Sequence, residues 1–267
     1  MAKAAPMKTL ILSDLHFGHK ASSAGKMLDG LRALAGNYDR VVLNGDALDY
    51  AATPAIQDEL KAQIKEACSS REGPPEFLTG NHDPDVSPAA WVYLPEPAAL
   101  VFHGDCIADC THPAKRHDQL QASMLLEFWN KLGGRPAKFE ELARLYRETQ
   151  ARFLRLYPPD SIAQNKFWYL ARTLCPPKRA LHILRYWWNM PRLVACLAAT
   201  FDQPVKHIVV GHSHRPGHWR MNGTTIYNTG SFMPFSKAYA VSVEGAEIRW
   251  QPLAGLLGHP GQTGRRR

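Results

Sequence analysis

Short apolar runs that stop abruptly at polar residues mark both ends of this chain. Lys8–Ser13 (KTLILS), Arg40–Leu43 (RVVL), Ala99–Phe102 (ALVF) and Lys206–Val210 (KHIVV) are of this kind, and Glu76–Thr79 is a shorter case. Runs rich in Val, Ile and Leu, without polar alternation, predict strands covered on both faces. The residues that follow are Asp14, Asn44, Gly80, His103 and Gly211. They emerge at the carboxyl ends of the strands, the edge where open α/β sheets build their sites. Five strand ends can therefore deliver polar groups to one rim.

Between His103 and Gly211 the period changes. Leu120, Met124, Phe128 and Leu132 recur at helical spacing, as do Phe139, Leu142, Tyr146, Phe153 and Leu156. Gly133-Gly134 with Pro136, then Pro158-Pro159, then Pro176-Pro177 punctuate the segment into about four helices. The pattern predicts a catalytic domain from residues 1–105 and 206–253, a helical cap over 106–205 folding back over the rim, and a flexible basic tail over 254–267.

A chain of 267 residues can bury a full core as one α/β domain with an insertion. No stretch is long and uncharged enough for a transmembrane helix. The opening MAKAAPMK runs into the first strand without a secretion signal, so a cytoplasmic location is expected. Five cysteines, an odd number without framework spacing, are expected to be reduced thiols.

Charge changes the picture of the insertion. The chain carries net +8, and residues 106–205 hold 15 Lys or Arg against 8 Asp or Glu. Basicity thus belongs to the insertion and to the tail at Arg265–Arg267. Of 26 aromatic residues, 13 fall in the same segment, most densely at Tyr186-Trp187-Trp188 beside Arg185 and Arg192. Adjacent helical positions point about 100° apart, so these three cannot share one core and one should lie at a second surface. Such a surface suits an anionic membrane and a lipid, or the phosphates of nucleic acid. Long basic tracts along the rim are absent, so no dedicated nucleic-acid partner is expected.

The rim chemistry is spelled by five segments: Asp14-Leu15-His16, Asn44-Gly45-Asp46, Gly80-Asn81-His82-Asp83, His103-Gly104-Asp105 and Gly211-His212-Ser213-His214. Imidazole and carboxylate without thiolate suit two divalent transition metal ions, Mn foremost, with Fe or Zn as alternatives. A carboxylate can bridge two ions about 3.5–4 Å apart, which clamp a phosphoryl group and activate water. Glycines beside Asp46, Asn81, His103 and His212 allow sharp turns and close approach. His19 reads as a solvated loop residue, and His207 as structural.

In these five segments the chain resembles the calcineurin-like metallophosphoesterases, with D-x-H, G-D, G-N-H-D, H and G-H-x-H all matched. Asn228-Thr229-Gly230-Ser231 adds the N-x-G-S segment that follows in that family. The resemblance implies an α/β fold, a β-sandwich core flanked by helices (αββα). It implies that Asp14, His16 and His214 hold one metal, that Asn81, His103 and His212 hold the other, and that Asp46 bridges them. His82 would face the scissile phosphate as the catalytic residue, oriented by Asp83 or Asp49. Hydroxide would attack phosphorus in line. Asp105 would orient His103, and Arg215 would add a substrate phosphate contact.

The helical insertion after H-G-D, closed by His212-Ser213-His214-Arg215-Pro216, is also similar to the UDP-2,3-diacylglucosamine hydrolases. That likeness implies a phosphorylated, lipid-linked substrate with a pyrophosphate, and peripheral contact with an anionic membrane at its inner surface. One departure stands out: that family commonly has arginine where this chain has His82. Hydrolysis of a small soluble or nucleic-acid phosphoester is the alternative within catalysis. A non-catalytic scaffold would predict broken ligand segments, and none is broken here.

Overall fold

A computed structural model describes residues 6–49, 54–107, 116–131, 133–134, 138–156 and 177–257. Leu132, Pro136, the Pro158-Pro159 and Pro176 punctuation, Cys110 and Arg265–Arg267 lie outside the described residues.

Among the described residues, ten strands form two five-stranded sheets. The first has the order β10-β9-β1-β2-β3, built from β1 (Lys8–Leu12), β2 (Arg40–Asn44), β3 (Glu76–Leu78), β9 (Tyr239–Glu244) and β10 (Glu247–Pro252). The second has the order β4-β5-β6-β8-β7, from β4 (Trp91–Leu94), β5 (Ala99–Phe102), β6 (His207–Val210), β7 (Gly217–Met221) and β8 (Thr224–Asn228). All five apolar runs read from the sequence are strands. The chain thus adopts the flanked α/β sandwich that the sequence predicts.

Alternation along each strand explains why the runs are apolar throughout. Ile11, Val42, Leu78, Val241 and Val243 point between the sheets, where they meet Leu94, Ala99, Val101 and Val209. Leu10, Leu12, Val41 and Leu43 point outward, against α1 (Leu28–Ala35) and α2 (Pro54–Ala67) through Leu31, Leu34 and Ile64. Leu100, Phe102, Ile208 and Val210 point outward from the second sheet.

Those outward residues are covered by the inserted segment. It contributes α3 (Arg116–Lys131), α4 (Phe139–Leu156) and α5 (Pro177–Ala198). Phe139 and Ala143 of α4 pack on the second sheet, together with Met190, Val194, Ala195 and Ala198 of α5. The Phe139 ring sits 4.8 Å from Phe102 and 5.6 Å from both Trp91 and Phe201.

Topology gives the physical reason. β5 and β6 are parallel neighbours, with Ala99 opposite His207 and Val101 opposite Val209. Parallel neighbours cannot be joined by a tight turn and need a crossover, usually helical. The inserted segment is that crossover, enlarged. Its α4 and α5 form an outer layer on the second sheet and also reach the rim.

The three adjacent aromatics divide as helical geometry requires. Tyr186 packs inward, Trp187 is half-buried, and Trp188 is 84% exposed. Leu181 and Leu184 lie on the same side as Trp188 and are also exposed. No helix among the described residues is long and apolar enough to cross a membrane. Cys68 and Cys196 are free thiols, and burial pushes Cys68 up to about 12.

Candidate metal centre

The rim loops are zipped together before any ligand is considered. Asp14 N donates to Gly45 O at 3.1 Å, His16 N to Asp46 O at 2.9 Å, and Phe17 N to Ala47 O at 3.0 Å. This ladder continues the pairing of β1 with β2 beyond the strands, through a sharply turned backbone. Asp14, His16, Asp46, His212 and His214 all have positive φ, between 46° and 61°. Non-glycine residues rarely occupy this region, and such outliers gather at functional sites.

Glycines make the close approach feasible, as expected. A Cβ on Gly80 would overlap the Asp46 carboxylate, one on Gly211 would overlap that of Asp14, and one on Gly45 would enter the His103 ring. Three ligand-bearing loops are thus packed against glycine backbone.

All seven proposed ligands come together. Asp14, His16, Asp46 and His214 offer donor atoms within 4.8 Å of one another, and so do Asp46, His103 and His212. Asp46 is common to both sets. Its Oδ2 lies 3.8 Å from His16 Nε2 and 3.3 Å from His103 Nε2. Asn81 Oδ1 joins the second set, 2.8 Å from His212 Nδ1 and 3.3 Å from His103 Nε2. His16 Nε2 and His214 Nε2 are 3.0 Å apart, and His214 Nε2 is 3.3 Å from Asp14 Oδ1.

Neighbours fix which atom each ligand presents. His16 Nδ1 lies 3.3 Å from Asp49 Oδ2, so an N–H there is held by the carboxylate and Nε2 turns to the cluster. His103 Nδ1 donates to Asn44 O at 3.1 Å, which likewise leaves Nε2 inward. Such partners set the tautomer and orientation of metal-binding imidazoles. Asp14 accepts His212 N at both carboxylate oxygens, at 3.0 and 3.1 Å, and also the Ser13 hydroxyl.

Electrostatics agree with a cation site. Burial pushes the Asp46 carboxyl up, but His103, His82 and His16 outweigh it and hold it well below the usual carboxylate range. Burial opposes the charged form of His103, yet the Asp46 carboxylate raises that imidazole to about 10. Burial and the neighbouring His103 charge push His212 down to about 3. The buried carboxylates thus draw positive charge to this point of the rim. The donor set, all imidazole, carboxylate and amide oxygen, fits divalent transition metals, with ions supplying that charge.

Two sequence expectations are corrected in detail, for Asp83 and for Asp105, while the Asp49 alternative agrees with the structure. Asp83 does not reach His82: its Oδ1 accepts Asp46 N and Gly80 N at 2.9 Å each, and its Oδ2 accepts Leu48 N at 3.1 Å. It ties the β2 and β3 loops together, and burial plus the Asp46 charge raise it to about 7. Asp49 is the partner of His82, at 3.2 Å from Nδ1. Asp105 does not orient His103, because the Asn44 carbonyl holds that imidazole and Asp105 Oδ1 accepts Cys106 N.

His82 stands beside the donors and half-buried. Its backbone N–H donates to Asp46 Oδ1 at 2.8 Å, and its ring lies 4.7 Å from His16. Arg215 is exposed, with its guanidinium 5.8 Å above the Trp187 ring and Nη1 donating to Trp187 O at 3.3 Å. The N-x-G-S segment holds the last ligand loop. Asn228 Nδ2 donates to Gly211 O at 2.8 Å and to Ser213 Oγ at 3.0 Å, and Ser236 Oγ donates to His214 O at 2.6 Å.

Asn44 is the residue that sequence reasoning passed over. Besides orienting His103, its Nδ2 donates to Phe102 O at 2.9 Å and stitches the first sheet to the second. Its place in Asn44-Gly45-Asp46 was the available signal.

Fold and donor geometry define a metal-dependent phosphoesterase architecture. The model of the calcineurin-like phosphoesterase family matches residues 7–216, and the chain belongs to that family. No curated protein sequence matches the chain. Among solved structures, a dimetal phosphatase from Danio rerio is similar with a TM-score of 0.47 and 12% identity, over 94% of this chain and 97% of that one. Yfce, a phosphoesterase from E. coli, is similar with a TM-score of 0.43 and 12% identity, over 94% and 95%. Vps29 from Entamoeba histolytica gives 0.40 and 10%, over 92% and 97%.

Proposed function

We propose that this chain is a two-metal hydrolase of phosphoester or pyrophosphate bonds, acting on a nucleotide-linked lipid of the UDP-2,3-diacylglucosamine type. The carrying observation for the chemistry is the convergence of two donor sets on one shared carboxylate, Asp46. In this reading Asp14, His16 and His214 hold one ion, Asn81, His103 and His212 hold the other, and Asp46 serves both. When bound, the ions supply Lewis acidity toward the phosphoryl oxygens and lower the pKa of water, with manganese the first candidate.

The chain's own residues do the rest. Asp49 Oδ2 lies 3.2 Å from His82 Nδ1, and the His82 ring is the proposed donor that gives or shares a proton with the leaving oxygen. Arg215, next in sequence to the ligand His214, is the proposed phosphate contact and would leave Trp187 to make it. Asn44 and Asp49 keep the imidazoles pointing inward while charge builds on phosphorus.

Support for an amphipathic substrate comes from α5. Leu181, Leu184 and Trp188 are exposed on one side of it, with Arg185 and Arg192 exposed among them. An apolar stripe edged with cations suits an anionic bilayer surface, where each basic residue adds about 1 kcal/mol that fades within a Debye length. Such contact would place the chain peripherally at the inner face of the cytoplasmic membrane.

The test is a screen of the manganese-supplied protein on a small monoester, a small diester and a nucleotide-linked lipid pyrophosphate, with binding to anionic vesicles measured in parallel. The lipid is expected to be turned over most efficiently, and vesicle binding to weaken with salt. Preference for a small ester without vesicle binding would overturn the lipid reading and leave the hydrolase. An active protein carrying no transition metal would overturn the two-metal reading itself.

A further inference from the structure

The inserted helices touch the metal loops through side chains that donate to backbone carbonyls. Gln150 is a buried residue of α4, and its Nε2 donates to Asn81 O at 2.7 Å. Trp187 of α5 donates Nε1–H to Ser213 O at 2.9 Å, between the ligands His212 and His214. Two inserted helices thus each hold one ligand loop, α4 the loop at Asn81 and α5 the loop at Ser213.

The first contact has a particular geometry. The peptide joining Asn81 to His82 receives Gln150 at its oxygen and donates from its nitrogen to Asp46 Oδ1 at 2.8 Å. That peptide plane is held at both ends. A donor at the carbonyl polarises the amide and strengthens the bond its N–H makes, as linked hydrogen bonds do. Gln150 therefore bears at once on Asn81, on His82 and on the carboxylate common to both donor sets. On the other loop, Trp187 acts with its neighbours. The Tyr186 ring stands edge-on to His212 at 6.1 Å, and Arg215 Nη1 returns to Trp187 O. His212 and His214 flank Ser213 in left-handed backbone, at φ 61° and 54°. A loop in that conformation needs outside restraint to stay in it.

We infer that Gln150 and Trp187 are positioning residues, through which the inserted helices set the geometry of the metal loops. The inserted segment is then a support for the donor cluster as well as a substrate-facing element. This inference rests on the two-metal reading given above.

The test uses the full chain. Gln150→Met keeps length and bulk but has no donor, and Trp187→Phe keeps a ring over Arg215 without the N–H. Manganese binding is followed by titration against a competing chelator, and amide exchange is followed in the metal-free protein. Removing an outer partner of a metal site commonly weakens affinity by about 10–100-fold. Because these donors act through a backbone amide, on the order of tenfold is expected, largest for the weaker equivalent in Gln150→Met. The His82 amide should exchange faster in Gln150→Met, and the Ser213–His214 amides faster in Trp187→Phe. A merely structural role would lower the melting temperature and leave metal affinity and these amides as in the wild type.

Trp187 is half-buried, so its variant remains informative if Gln150→Met does not fold. Should the wild type fail to take two equivalents of manganese, the two-metal reading falls. Should it take two, and a folded variant bind both as tightly with unchanged exchange, this inference falls alone.

Discussion

The rim loops and the inserted helices solve opposite problems. At the rim, buried carboxylates and imidazoles are crowded against their own solvation, and the chain holds them by glycine contacts, left-handed turns and backbone ladders. In the insertion, α4 and α5 lay apolar faces on an apolar sheet, where burial alone favours the arrangement. Rim geometry is therefore specified residue by residue, whereas the insertion is specified by volume and pattern. Substitutions at the rim should alter chemistry far more than stability, and substitutions where the insertion packs on the sheet the reverse, Gln150 and Trp187 being the points where the insertion joins the rim.

The sharpest test of that contrast is Asp46→Asn. The exchange barely changes shape but removes the carboxylate charge that three histidines face. Hydrolysis is expected to be abolished and bound metal to fall, with an unchanged circular dichroism spectrum. Retained metal and rate would mean that Asp46 is not shared.

Next in size is His82→Ala, which separates proton transfer from metal binding. A rate loss of about 10²–10⁴ is expected with both metals retained, the usual worth of a positioned acid. Metal loss equal to that of Asp46→Asn in elemental analysis would make His82 a ligand instead.

Phe139→Ala probes the other side of the comparison. Truncating a fully buried Phe costs about 3–5 kcal/mol, and this ring meets three other aromatics. Denaturant unfolding should show that loss, while the surviving folded fraction keeps its metal content. A variant that lost metal in proportion would erase the distinction between the two regions.

The smallest effect is expected from Trp188→Ala. At 84% exposure its truncation should move stability by no more than about 0.5 kcal/mol. If the stripe on α5 meets lipid, binding to anionic vesicles should fall roughly tenfold, the worth of one buried apolar side chain. Unchanged vesicle binding would remove α5 from the membrane argument.

The contrast also governs what could be read from the sequence. β1, β2, β5 and β6 were legible because strands buried on both faces leave unbroken apolar runs, and the ligands sit where those runs end. The partners of the ligands were less legible. Two carboxylates, Asp49 and Asp83, could have served His82, and only the course of the loops decides for Asp49. His103 was expected to lean on Asp105, its neighbour in sequence, but takes a carbonyl from β2 in the facing sheet. The helical character of the insertion showed in its spacing. Its role as the β5–β6 crossover did not, because strand adjacency is a property of the assembled sheet. Gln150 and Trp187 are ordinary helical residues until the loops they touch are known.

The left-handed turns carry an evolutionary consequence. Holding Asp14, His16, Asp46, His212 and His214 at positive φ costs on the order of 1–3 kcal/mol at each position. Glycine would relieve that cost, but glycine binds no metal. On the proposed function, the demand for ligands at these positions would hold the sequence below the stability its fold could reach. A descendant released from that demand has a downhill path, replacing these five residues before any strand changes. Ancient loss of activity would leave its first trace there, in a chain more stable than its ancestor.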